Sequence, residues 1–193
     1  MKYQNQLEHA LGVLKANIER VPDSLATAFA DKKVKVLSTA IILRKHVAFG
    51  GKQPLVDSDT KKVDGVSDFD GNSLVDYRAL IINAIKLGYS SDAATGKEAS
   101  LTYSSALPVA FRNATLKITQ GGIIFNYPLS ALANPHTGNS LADDVIQLPQ
   151  SFVIVPKQEF EMELIFPKGA TAPANESYLE FTFYAEETRL SNS

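Results

Sequence analysis

The chain has 193 residues, of which 45% are hydrophobic and 21% charged, the balance of a globular protein rather than of a disordered or fibrous one. It contains no cysteine, which excludes disulfide scaffolds, thiolate metal sites and cysteine nucleophiles. Its 19 basic and 21 acidic residues leave a net charge of -2, so no global field draws it toward nucleic acid or anionic lipid.

The first element expected is a helix from about Tyr3 to Val21, where Leu7, Leu11, Leu14, Ile18 and Val21 recur at helical spacing and form a narrow apolar seam. Pro22, Asp23 and Ser24 read as its stop. The seam suits packing on the chain's own domain. It also suits a neighbouring subunit, with Leu7, Leu11, Leu14 and Ile18 as the candidate interface residues. On the second view, Asp at Leu11 and Leu14 is expected to block assembly and leave the β domain folded. Gln4, Asn5, Gln6, Glu8 and His9 interrupt this segment, so no secretion signal is expected, and no apolar run is long enough to span a membrane.

From Val34 to Phe49 the chain turns to Val, Ile, Leu and Thr, the residues that fit a pleated, half-buried surface, as one long strand or two short ones. Gly50, Gly51 and Pro54 end it. The stretch from Asp57 to Asn72 carries Asp57, Asp59, Asp64, Asp68 and Asp70 among Gly, Ser and Thr, the composition of a loop. Ser73 to Tyr89 is readable two ways. Ser73, Asp76 and Gly88 supply helix caps, whereas Tyr77, Ala79, Ile81, Ile85, Leu87 and Tyr89 alternate on one strand face, broken only at Asn83. A strand from about Leu80 to Tyr89 agrees better with the strands on both sides.

The segment Ala114 to Tyr127 around Gly121-Gly122 predicts a two-residue type I′ hairpin, because adjacent glycines supply both positive φ angles. That turn sets Ile118 opposite Phe125 and Leu116 opposite Tyr127 on one face, with Thr119 opposite Ile124 and Lys117 opposite Asn126 on the other. The apolar face comes out nearly clean, as a specified register requires. Further strands are expected at Phe152 to Val155, Glu159 to Phe166 and Tyr178 to Ala185, each alternating a core face with a wet one. The expected fold is therefore mainly β: an antiparallel β-sandwich, jelly-roll-like, over 25–193, behind an N-terminal α-helix in 1–24.

Catalytic and metal-binding patterns are scarce. Placing Gly71 at the turn position of a calcium loop puts Val66 and Tyr77 where ligands must stand, so the EF-hand fails, leaving a solvated loop or a looser oxygen-rich calcium site. His9, His46 and His136 are far apart in sequence, and no metal motif joins them. His136 and Ser140 share a loop without a nucleophile elbow, and Gly50-Gly51-Lys52 lacks the rest of a phosphate loop. Glu159, Glu161 and Glu163 share one strand face and read as a solvated surface. The Asn113 and Asn175 glycosylation triplets read as chance. No cofactor, no metal and no enzyme activity are expected.

The helix, the acidic loop, then Leu107-Pro108-Val109-Ala110-Phe111-Arg112-Asn113-Ala114 leading into the hairpin, and Gln158-Glu159-Phe160-Glu161-Met162-Glu163-Leu164 before the last strand, together resemble small jelly-roll virion proteins of the bacteriophage capsid type. The resemblance covers about 33–190. It implies a virion structural subunit, assembled in the host cytoplasm, that self-associates into a shell or ring and touches copies of itself and other virion proteins. The nearly neutral N-terminal helix departs from the basic arms that hold genomes, so direct nucleic-acid binding is not expected. The alternative is a non-catalytic β-sandwich module that recognises a glycan or protein. The absence of Trp and the seven Tyr, few for a sugar platform, favour the structural reading.

Overall fold

The computed structural model describes residues 2–91, 98–133 and 144–191, with side chains from Leu7 onward. Two helices come first, α1 (Lys2–Ala16) and α2 (Asp23–Ala30), followed by β1 (Val34–His46), β2 (Lys52–Val56) and β3 (Leu80–Ser90). A one-turn helix α3 (Val109–Arg112) precedes the hairpin of β4 (Thr115–Gln120) and β5 (Ile123–Pro128), and α4 (Leu129–Leu132) follows it. The chain ends through β6 (Val145–Ile154), β7 (Phe160–Ile165) and β8 (Tyr178–Leu190).

The strands pair as a nested ribbon: β1 with β8, β2 with β7, β3 with β6 and β4 with β5, all antiparallel. Folding that ribbon over brings β8 against β3 and β7 against β4, which closes two four-stranded sheets, β1-β8-β3-β6 and β2-β7-β4-β5. Between them lies the main core. Leu43, Leu55, Ile85, Phe111, Leu116, Phe160, Phe181 and Phe183 are all buried there. At about 25 cal/mol per Å² of apolar surface, such apolar burial is the chief favourable term.

The hairpin register is the predicted one, with Ile118 opposite Phe125 and Leu116 opposite Tyr127, and Gly121 and Gly122 adopt φ of 58° and 81°. The segment from Val34 forms one strand, and Leu80 to Ser90 is a strand too. Its alternation, however, does not stay on one face. Asn83 is an extra residue in the ladder, since Ile82 and Ala84 pair with Ala185 and Tyr184, adjacent residues of β8. A bulge of this kind reverses the parity of side chains. Ala79 and Ile81 therefore lie under the helices, whereas Ile85 and Leu87 face the inter-sheet core.

Two expectations about the N-terminal region are corrected. The first helix stops at Ala16 rather than Val21, and Pro22, Asp23 and Ser24 open α2: a proline with its φ preset and an acidic first turn suit a helix start as well as a stop. The boundary expected between 24 and 25 falls within α2. Ala10, Leu14, Val21 and Leu25 share one buried cluster with Val36, Ile81, Val153 and Val155, so the helices pack on the outer face of the first sheet. The strand β2 also lies where Pro54 was read as a terminator. It borders β7 alone, and an edge strand tolerates a residue without an N–H.

Candidate functional site

The helical face carries the residues that the sequence marks for association, and the structure divides them. Leu14 is 4% exposed and belongs to the cluster beneath the helices, where half-buried Leu7 also packs. Leu11 and Ile18 instead line an apolar groove of about 290 Å³ between α1 and α2, with Val21, Ala26 and Phe29 across from them and Leu14 at its floor. Ile18 is 55% exposed. The expectation that Asp at Leu11 and Leu14 leaves the β domain intact is thus corrected for Leu14, because a carboxylate there enters a cluster built partly by β1, β3 and β6.

Beside this face, a cleft of about 390 Å³ opens where β5 and β6 border the two sheets. A large irregularity in β6 makes the room. Ile82 pairs with Phe152 and Ala84 with Gln147, so Leu148, Pro149, Gln150 and Ser151 stand opposite Asn83 alone. The Ser151 hydroxyl donates to Asn83 Oδ1 at 2.7 Å and pins the excursion. On the other wall, Phe125 and Tyr127 stack with centroids 5.5 Å apart and planes within 8°. Phe125 is braced from behind by Phe152 at 5.4 Å.

At the mouth stands Arg20, from the turn between the helices. Gln120, 1% exposed at the end of β4, fixes it. The Gln120 amide nitrogen donates to the carbonyls of Val155 (3.0 Å) and Gln158 (2.8 Å), and its oxygen accepts from the Val155 N–H and from Arg20 Nη2, both at 2.8 Å. Arg20 also donates to Asn17 Oδ1 and the Val153 carbonyl, each at 3.3 Å. Its buried Nε has no partner among the described residues. Partial burial pulls the guanidinium below its ordinary pKa.

Neither Arg20 nor Gln120 stands out in the sequence pattern as a site residue. A signal was present: Leu116, Ile118 and Gln120 alternate on the core face of β4, and a glutamine in that position calls for buried partners.

The remaining polar clusters serve the fold. The acidic loop runs along the outer edge of β1: the Arg44 N–H donates to Val66 O, Asp68 N–H to Ile42 O, and Ile42 N–H to the Asp68 carboxylate at 2.8 Å. Asp57 caps its own turn by accepting from Asp59 N–H and Thr60 Oγ. Arg44 pairs with Glu180 at 2.6 Å and lies 5.0 Å from the Tyr103 ring, whose phenol burial pushes up to about 12. His9 contacts Glu186 at 2.8 Å, and His46 contacts Glu176. The His136 loop lies outside the described residues. Among the described residues no three His, Asp or Glu side chains gather as a metal-binding set, and no helix is long and apolar enough to cross a membrane. Comparison with known proteins gives no matching family model and no matching curated relative.

Proposed function

We propose that the chain is a jelly-roll, capsid-type structural subunit of a virion, which self-associates into a shell or ring and performs no catalysis. The nested pairing of the strands carries this reading. A ribbon in which the first strand pairs the last, the second the seventh, and so on to the central hairpin supports the reading of two Greek keys rolled into one sandwich, an architecture that capsid and lectin domains share. Fold alone leaves the function open, so the surfaces must decide. The groove of Leu11, Ile18 and Phe29 offers apolar area on an outer face, next to the exposed Ile123 and Ile124 of the hairpin, which suits a subunit that meets copies of itself. The cleft beside Arg20 favours the second reading, a β-sandwich binding module.

Light scattering after size exclusion, over about a hundredfold range of concentration and at low and high salt, separates the two. The structural reading expects a defined multimer or a shell-sized particle. A 21.0 kDa monomer under every condition rejects self-assembly and puts the binding module first.

A further inference from the structure

We infer that the cleft between β5 and β6 is a binding site for a carboxylated saccharide, a uronic or sialic acid residue, with Arg20 taking the carboxylate and the Phe125–Tyr127 ledge taking the sugar ring. The inference does not depend on the assembly reading, since an assembled subunit and a monomeric module can each carry such a site.

Arg20 is the first reason. Among the described residues its partners are all neutral: an amide oxygen of Asn17, an amide oxygen of Gln120 and the carbonyl of Val153. No carboxylate pairs with it among the described residues. Half-buried arginines normally find an anion, because a fixed fork of donors in a partly desolvated place gains most from a charge-assisted bond. Here both Nη2 N–H groups are taken by Gln120 and Val153, one Nη1 N–H is taken by Asn17 and Nε is buried, so the second Nη1 N–H is the donor left for an anion; Gln120, which holds the group in place, is itself held by three hydrogen bonds to backbone groups of Val155 and Gln158. A side chain so braced costs little further entropy on binding.

The walls give the second reason. The cavity falls in the range of small-ligand sites, and among the described residues Arg20 is the only charged one lining it, alongside Asn17, Gln150 and Ser151. One positive charge among amides and a hydroxyl matches one carboxylate on a hydroxyl-rich body. A phosphate dianion calls for more cations or a nest of N–H groups. The hairpin adds backbone groups. In a two-residue hairpin closed at Gln120 and Ile123, the hydrogen-bonded pairs are Gln120–Ile123, Ile118–Phe125 and Leu116–Tyr127, so the N–H and C=O of Ile124 and Asn126 point away from β4. Both residues line the cleft.

The test is a titration of the labelled full chain, following backbone amide shifts by NMR. The probes are glucuronate, N-acetylneuraminate, glucose, the methyl ester of glucuronic acid, and inorganic phosphate. The expected result is saturable movement of the Ile124–Tyr127 and Gln150–Phe152 amides with one or both acids, with Kd of about 1–10 mM as befits a single sugar, and about tenfold or weaker response to glucose and the ester. Arg20→Gln is expected to weaken the acids about tenfold or more and to leave any response to glucose unchanged. Because Arg20 also ties the helix turn to Gln120, Tyr127→Ala serves as a second variant and is expected to weaken the acids severalfold. Glucose binding as well as the acids, phosphate binding tighter than either acid, or still amides at saturating acid would each overturn the assignment.

Discussion

Ile18→Asp and Leu14→Ala separate the surface proposed to meet another subunit from one that meets only its own strands. Leu14 is 4% exposed and touches the cluster of Val21, Leu25, Val36, Ile81 and Val153, so truncation removes three buried carbons and leaves a cavity beneath the helices. Such losses cost about 2–4 kcal/mol, and at about 2–4 °C per kcal/mol for a chain of this size the Tm falls by about 5–15 °C. Ile18, at 55% exposed, leaves no comparable cavity. A charge there changes stability by about 0.5 kcal/mol or less, yet it sets a carboxylate at the rim of the groove that Leu11 and Phe29 also line. Far-UV circular dichroism gives the Tm, since the chain has no Trp to follow by fluorescence, and light scattering gives the mass. The expected outcome is a stable Ile18→Asp protein that has lost its multimer, and a Leu14→Ala protein that melts early. An Ile18→Asp protein that assembles as the wild type does would refute the role of the groove, and a Leu14→Ala protein with an unchanged Tm would refute the docking of α1.

Glu187 is 1% exposed and accepts from Arg78 Nε at 2.6 Å and Arg189 Nη2 at 3.0 Å. Removing a partner strands a buried charge, whereas removing the carboxylate frees two arginines that reach water, so Arg78→Leu is expected to cost about 2–4 kcal/mol in urea unfolding and Glu187→Leu less. The reverse order would show that the carboxylate is not desolvated. Asp76 accepts from Lys157 at 2.7 Å and from Ser24 and the Tyr77 N–H at 3.0 Å each, and the Lys157 ammonium foremost holds its carboxyl below the usual range. A depressed folded pKa stabilises the protein above the unfolded value, about 3.9, and that gain is lost as pH falls through the lower folded value. Urea midpoints of wild type and Asp76→Asn should therefore differ at neutral pH and converge as acid protonates the folded carboxyl; a constant gap would dismiss the clamp.

What the sequence disclosed was local. The hairpin could be read because two glycines and four side-chain pairs within fourteen residues carry the whole specification. The strand Leu80–Ser90 could be read as a strand but not as a surface, because one bulged residue, Asn83, exchanges its faces and no property of asparagine announces that. The helix α2 was hidden by ambiguous punctuation at Pro22-Asp23-Ser24, and its burial depends on β1, β3 and β6 lying beneath it. The candidate cleft was out of reach for the same reason. Arg20, Gln120, Tyr127 and Ser151 come from four segments, and only the nesting of β4 and β5 inside β3 and β6 brings them together.

That nesting also bears on how copies of the chain would meet. A sandwich that associates by adding strands edge to edge has no natural stopping point, and natural sheets block it with loops, prolines and bulges. Here the outer edge of β1 is occupied by Val66 and Asp68, which take the Arg44 N–H and both backbone groups of Ile42. β2 is five residues long and carries Pro54 and a register shift. β6 breaks its line at Leu148 to Ser151. Three of the four border strands thus resist continuous pairing, while α1 and α2 spread an apolar groove over an outer face. If copies associate as proposed, that helical face suits a closed, countable assembly, because its contact area is set by side chains and stops where the helices stop. If copies instead joined through β5, the Ile124 and Asn126 amides would become protected from hydrogen exchange on assembly while Ile18→Asp left the mass unaltered.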